Sequence, residues 1–260
     1  MNDGGLDKLL RSKKYRDVCP DTVRRIWTDC QSRYKRPKDA EKAAREALHG
    51  ITGAFLTVAE AADCMSAVAD WAGHRDDGGL EDILKRHTST RERLPLAAMD
   101  ALYARIFEIT GQPARVLDLA CGIQPVYLGA RGMVAAGVDI SGSAVAIVNA
   151  FGRACGLPVS AVCADLLCPG AIPPECFDIA LIFKALPLLE RQRAGAAAAV
   201  MAAVNARHIV ASFPTRTLGG RNVGMSAHYA GWMAELLPAN RMIAGTFETD
   251  NELYMILGEK

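Results

Sequence analysis

The pattern that most constrains this chain begins after Gly111-Gln112-Pro113, where short apolar runs start to alternate with helical stretches. The runs are RVLDLA, MVAAGVDI, VSAVCAD, FDIALIF and HIVASF, and between them lie segments such as SAVAIVNAFGRACG and the Ala-rich RQRAGAAAAVMAAVNA. Strands alternating with helices build parallel βαβ units in a doubly wound sheet. Two further runs, MIAGTFET and ELYMIL, are separated only by Asp250-Asn251. That gap is too short for a parallel crossover, so the pair is predicted to form an antiparallel hairpin.

Residues 5–110 follow a different period. Leu6, Leu9 and Leu10 share a helical face, and β-branched runs are nearly absent. Asp21 is predicted to cap the segment TVRRIW, Gly50 to close the Ala-rich EKAAREALHG, and Thr57 to cap VAEAADCMSAVADWA, which ends at Gly73. Asp77-Gly78-Gly79 is predicted to be a loop before LEDILKRH and RLPLAAMDALYARIFEIT. The expected organisation is a helical domain over 1–110 and an α/β domain over 111–260, with no internal repeat.

Charge is informative only in its distribution. The whole chain carries a formal net charge of +1, yet residues 8–38 hold eleven bases against three acids. Such a segment is either a polyanion-binding surface or a solvated helical face. The eight cysteines include no CxxC pair and no cluster with histidine at zinc-like spacing, so no metal is expected and reduced thiols are. The first residues lack the apolar stretch of a secretory signal, and Ala194 to Val204 is shorter than the ~20 residues that span a bilayer. A cytoplasmic, soluble protein is expected, and nothing demands more than a monomer.

The strongest chemical signal is Val116-Leu117-Asp118-Leu119-Ala120-Cys121-Gly122, a strand entering a turn of small residues that lets backbone approach a ligand. The turn lacks the GxGxxG spacing of a pyrophosphate site. S-adenosylmethionine has no phosphate; it needs small residues beside its methionine half and a carboxylate for its ribose. Asp139 ends the next run, and Asp165 with Leu166 follows the third, where adenine would be bound. One strand-end Asp alone is as well explained by helix capping, but three successive ones indicate a class I, Rossmann-like methyltransferase sheet.

Methyltransferases acting on exocyclic amino groups usually carry Asn/Asp-Pro-Pro-aromatic after the fourth strand. This chain has Phe183-Lys184-Ala185-Leu186-Pro187. A cation there suits a nitrogen with a free in-plane lone pair, such as purine N7, which needs no general base. Lys184 is also compatible with a helix cap or a salt bridge.

The segments SKKYRDVCPDTVRRI, AREALHGITGAF, HTSTRERLP, RVLDLACGIQPVYL, LIFKALPLLERQRAG and VASFPTRTLGGRNVGM resemble the aminoglycoside-resistance 16S rRNA methyltransferases that modify guanine N7 at the ribosomal decoding site. The resemblance covers essentially the whole chain. It implies that Phe55 lines the cofactor pocket, that His87, Thr88, Ser89 and Arg93 lie near the methionine moiety, with Arg93 pairing its carboxylate, and that Phe183 also belongs to the pocket. The stretch departs at Thr88 from a more usual His-Ala-Ser-Thr. Ala120 and Gly122 would form the turn, Asp139 hold the ribose, and Asp165 and Leu166 bind adenine. Lys13, Lys14, Arg24 and Arg25 would dock phosphates, and Lys184, Arg191, Arg216 and Arg221 would surround an extruded guanine against which Met225 packs. Without the resemblance, His87 is an ordinary helix-end histidine, Arg216 and Arg221 are solvated loop arginines, and Met225 is core.

The implied function is methylation of guanine N7 in the decoding site of the 30S subunit, conferring resistance to 4,6-disubstituted deoxystreptamine aminoglycosides. Methylation of a neighbouring adenine at N1, a small-molecule methyltransferase and a non-enzymatic assembly factor are the competing readings.

Overall fold

The computed structural model describes residues 4–52, 56–215 and 224–260. Helices precede the sheet: α1 (Gly4–Leu10), α2 (Pro20–Arg33), α3 (Pro37–Thr52), α4 (Val58–His74), α5 (Asp77–Leu84), the single turn α6 (Thr88–Arg91) and α7 (Leu96–Thr110). Thr57 caps α4 as its position predicts. Its hydroxyl accepts from the Glu60 N–H, and the Glu60 carboxylate accepts the Thr57 N–H at 2.7 Å.

Three boundary expectations are corrected. α2 starts at Pro20 without a side-chain cap, and Asp21 lies in its first turn, paired with Arg24 at 2.9 Å. Proline fits that first position because its missing N–H would have had no helical partner. α3 continues through Gly50 to Thr52. Gly78 and Gly79 sit in the first turn of α5, where the Asp76 carboxylate accepts the Gly79 N–H at 2.8 Å. Glycine at 79 lets the Trp71 ring pack closely: a Cβ there would stand 3.0 Å from it.

After α7 come β1 (Arg115–Leu119), α8 (Gln124–Ala130), β2 (Val134–Asp139), α9 (Gly142–Cys155), β3 (Val159–Cys163) and β4 (Phe177–Phe183). The chain closes with α10 (Leu186–Gln192), α11 (Ala196–Ala203), β5 (Ala206–Pro214), α12 (Met225–Leu236), β6 (Arg241–Glu248) and β7 (Glu252–Glu259). The strand order is β3-β2-β1-β4-β5-β7-β6. The first five strands are parallel. β7 runs antiparallel to β5 and β6, so the predicted hairpin is present and inserts its second strand into the sheet. The order reverses between β1 and β4, which opens a crevice at the carboxyl ends of the strands.

Packing divides the chain at a different place from the change in periodicity. Trp71 of α4, Leu84 of α5 and Ile106 of α7 share one apolar cluster with Val126 of α8 and Phe151 of α9, covering one sheet face. α10, α11 and α12 cover the other. Only α1, α2 and α3 enclose a core of their own, built on Leu9, Val23, Trp27, Ala44 and Leu48. The helices from α4 onward belong to the sheet because a doubly wound sheet must bury both faces.

The three-helix unit is pinned to the carboxyl end of β2. Val18 bridges Ser141, and the Cys19 N–H donates to the Ile140 carbonyl at 2.8 Å. Asp17 accepts the Gly142 N–H on its carbonyl at 2.7 Å and the Ser143 N–H on its carboxylate at 3.0 Å. All eight cysteines are free thiols. Among the described residues no helix is long and apolar enough to cross a membrane, and no group of side chains is arranged to hold a metal ion.

Candidate active site

The turn after β1 is shaped by two residues in the left-handed region, Ala120 at φ 59° and Gly122 at φ 53°. It folds over the end of β2: the Ala120 N–H donates to the Val138 carbonyl at 2.8 Å, and the Gly122 N–H donates to Asp139 Oδ2 at 2.8 Å. Asp139 Oδ1 accepts the Ser141 N–H at 2.8 Å. Burial pushes the Asp139 carboxyl up from the ordinary carboxylate range, and these N–H donors pull it back down. A Cβ at Gly122 would meet His87 Cε1 and Ser89 Oγ, each at 2.7 Å, so only glycine fits there.

A cavity of about 420 Å³ opens beside this turn, lined by Ala120, Asp139, Asp165, Leu166, Leu188 and Gln192 among others. Two predicted site acids and two predicted apolar contacts thus share one wall. The helical unit contributes Arg25, Gly50 and Ile51 to the same lining. Asp165 lies beyond the end of β3, with Oδ1 accepting the Leu167 N–H and Oδ2 accepting from Arg25 Nε, both at 2.9 Å. Arg25 also donates through Nη2 to Gln192 Oε1 at 2.8 Å. A second cavity of about 360 Å³ lies along the same seam, lined by Arg25, Asp29, Arg33, Ile51, Arg191 and Gln192 among others. Arg25, Gly50, Ile51, Arg191 and Gln192 line both cavities.

The other predicted residues gather behind the turn. His87 caps α6, its Nδ1 accepting the Ser89 N–H at 3.3 Å and lying 2.7 Å from Ser89 Oγ. Burial, with a smaller contribution from Arg91, pushes its pKa down to about 4, so the ring is neutral. Thr88 is half-buried and accepts from Arg91. Arg93 is buried, with its guanidinium 4.7 Å from the centre of the Phe183 ring. Its Nη1 donates to the Ser89 carbonyl at 2.6 Å and to Gln124 Oε1 at 3.1 Å. Its Nη2 and Nε donate to the two oxygens of Glu252 at 2.7 and 3.2 Å. Nε also lies 3.4 Å from the Tyr254 hydroxyl, so of the five guanidinium hydrogens one, on Nη2, has no acceptor among the described residues.

Glu252 escaped the sequence reading, although an acid opening the run ELYMIL was a visible signal. It is fully buried, accepts from Tyr254, and pairs with Lys184 Nζ at 2.8 Å. Arg93 and Lys184 together outweigh its desolvation and hold its carboxyl below the ordinary range. Lys184 also pairs with Glu92 at 2.5 Å, and its backbone sits at φ 55°, its N–H donating to the Ser212 carbonyl and hydroxyl. The salt bridge left open for Lys184 in the sequence is therefore present. Asp118, the third predicted acid, lies within β1, away from the cavity. It is almost wholly buried, and burial pushes its carboxyl well up. Its Oδ2 and Gln124 Nε2 are buried without hydrogen-bond partners among the described residues.

Of the predicted RNA contacts, Lys13, Lys14, Arg24 and Arg191 are exposed, and Met225 opens α12 half-buried. Arg25 is corrected: its side chain is only 13% exposed, and its Nε and one N–H of Nη2 are engaged by Asp165 and Gln192, so it is not a free phosphate contact of the kind expected. Phe55, Arg216 and Arg221 lie outside the described residues.

Among the described residues no glycine-rich helix start lines the crevice, so these do not form a pyrophosphate site. Two acids at successive strand ends suit the hydroxyls and amino group of a nucleoside, while the Gly122 cradle lies beside Ser89, whose carbonyl holds the Arg93 guanidinium that an amino-acid tail would require. These features, on a sheet of this order, define a Rossmann-like methyltransferase that uses S-adenosylmethionine. Comparison with known proteins narrows the class. A family model described as ribosomal RNA methyltransferase (FmrO) matches residues 11–243. The chain is 42% identical to the 16S rRNA (guanine(1405)-N(7))-methyltransferase of Serratia marcescens, over 99% of this chain and 98% of that one. It is 35% identical to an enzyme of the same description from Frankia casuarinae, over 86% of this chain and 82% of the other. The crystal structure of the 16S rRNA methyltransferase RmtF in complex with S-adenosyl-L-homocysteine superposes with a TM-score of 0.89 at 44% identity, over 99% of this chain and 98% of that one. The chain belongs to the FmrO family of 16S rRNA (guanine-N7) methyltransferases.

Proposed function

We propose that the protein methylates N7 of the decoding-site guanine in assembled 30S subunits, in the cytoplasm, and thereby confers resistance to 4,6-disubstituted deoxystreptamine aminoglycosides. The observation that carries this reading is the crevice at the carboxyl ends of β1 to β4. Acids suited to a nucleoside lie on its β2 and β3 side, and a lysine follows β4 on the other.

S-adenosylmethionine supplies an electrophilic methyl group on a sulfonium. Asp139 holds the ribose hydroxyls, Asp165 and Leu166 bind adenine, and Ala120 and Gly122 leave room for the chain between ribose and sulfur. Arg93 offers its remaining N–H to the amino-acid carboxylate, with His87, Thr88, Ser89, Phe55 and Phe183 enclosing that end. Guanine N7 has an in-plane lone pair, so no side chain has to remove a proton before transfer. The protein's task is alignment of the nucleophile with the methyl group. Lys184, held by Glu92 and Glu252, offers a fixed cation edge where the base enters, and Arg221 and Met225 retain the extruded base. Arg191 and Arg216 complete the surround of that nucleotide, and Lys13, Lys14 and Arg24 grip flanking phosphates. The methyl group blocks an acceptor and adds a positive charge to the base, which repels polycationic drugs.

The test is primer extension on 16S rRNA after borohydride and aniline treatment of 30S subunits incubated with protein and S-adenosylmethionine. A stop at the decoding-site guanine is expected. Label entering the RNA without that stop would move the reaction to another base, the adjacent adenine first.

A further inference from the structure

The seam brings a charged residue of the helical unit, Arg25, into the lining of the cofactor cavity beside Gly50 and Ile51. We propose that Arg25 is a positioning residue that acts through Asp165, fixing its carboxylate as an acceptor for the 6-amino group of adenine, so that α2 sets the enzyme's selectivity for the adenine base. The proposal rests on the reading that Asp165 faces adenine.

Asp165 needs such a partner. It lies two residues past the end of β3, outside the sheet's hydrogen-bonded ladder, and is only 3% exposed. A carboxylate taken out of water without a counter-charge is costly. One oxygen is fixed by the Leu167 N–H, which still allows the carboxylate plane to turn. Arg25 Nε fixes the second oxygen at 2.9 Å. The guanidinium is itself held by Gln192 at 2.8 Å and by the weaker pair with Asp29 at 3.9 Å, so it cannot swing with the carboxylate. Each Asp165 oxygen takes one described donor, which leaves acceptor capacity on both for an amino group. Arg25 and the cofactor therefore share Asp165 instead of competing for it. The planar fork of arginine suits this task better than the point charge of lysine, because it spans Asp165 and Gln192 at once.

The arrangement also explains why the seam is pinned where it is. Asp17, Val18 and Cys19 tie the helical unit to residues 140–143, immediately after Asp139. Arg25 ties it to Asp165 one strand further along the sheet. Both attachments fall at the strand ends that carry the nucleoside acids.

The experiment is calorimetric binding, without RNA, of S-adenosylhomocysteine and of its analogue with inosine in place of adenosine. The proteins compared are the native chain, Arg25→Met, Asp165→Asn and the double variant. The native chain is expected to prefer the adenosine compound by about tenfold or more, the worth of one hydrogen bond to a charged group. Asp165→Asn should erase that preference. Arg25→Met should reduce it severalfold and change nothing further in the Asp165→Asn background. If Asp165→Asn keeps the preference, the adenine reading of Asp165 is wrong, whatever Arg25 does. If Asp165→Asn erases it while Arg25→Met keeps it, or weakens both ligands equally, Arg25 is only a wall and the proposal is overturned. Circular dichroism checks each variant, and Arg25→Gln, with a smaller change in shape, is read by the same criteria should Arg25→Met lose helical signal.

Discussion

Asp139 and His87 show how single residues meet different demands within one turn. Asp139 takes two backbone N–H donors, one of which closes the turn over β2, so its carboxylate shapes the cradle as well as facing the ligand. Asp139→Ala is expected to abolish detectable cofactor binding by calorimetry while leaving the sheet's circular dichroism intact; retained affinity would remove Asp139 from the ribose site. His87 is held neutral, so protonation opposes folding. Its folded pKa of about 4 lies below the ordinary value near 6.5, and the unfolded chain binds more protons between the two. Stability from this residue is therefore present above pH 6.5 and lost as pH falls toward 4, by about 2 kcal/mol between pH 7 and pH 5. Urea unfolding at those two pH values should show His87→Gln losing less stability than the native chain by that amount. An identical loss would mean the ring is protonated in the folded protein. The positions of Asp139 and Asp165 in the cavity wall were legible because strand ends and small-residue turns leave local marks. Glu252 was not, since its partners Arg93 and Lys184 are brought to it only by the sheet order.

Among the elements, the terminal hairpin, the cap at Thr57 and the five parallel strands all followed from local pattern. Asp21, Gly50 and Gly78-Gly79 did not, because capping residues and glycines are ambiguous until packing decides. Gly79 is a packing residue for Trp71, a role no periodicity reveals. Periodicity also could not tell which helices belong to the sheet, since an apolar stripe does not name the surface it covers. The separate core of α1, α2 and α3 predicts separable stability. Leu48 is fully buried within it, and Leu48→Ala should cost about 2–5 kcal/mol. Hydrogen exchange should register the loss in the amides of α2 and α3 while β4 and β5 keep their protection. Equal loss throughout would show that the helical unit and the sheet unfold as one.

The whole molecule is nearly neutral, yet its bases concentrate in residues 8–38, mostly on the unit that hangs from the cofactor side of the sheet. Lys13 and Lys14 are both exposed there. Replacing both with Ala should weaken 30S binding and lower the slope of log affinity against log salt by about one for each phosphate no longer neutralised. An unchanged slope would take that patch out of the RNA interface. The adjacency of the two cavities, both lined by Arg25, has a further, practical consequence. The large cavity is built mainly from a sheet architecture that many unrelated enzymes share, so an inhibitor confined to it inherits poor discrimination. The neighbouring seam cavity is lined chiefly by α2 and α3 with the end of α10. A compound that occupies the first and displaces Arg25 to reach the second would draw its selectivity from the part of the chain that the common fold does not supply.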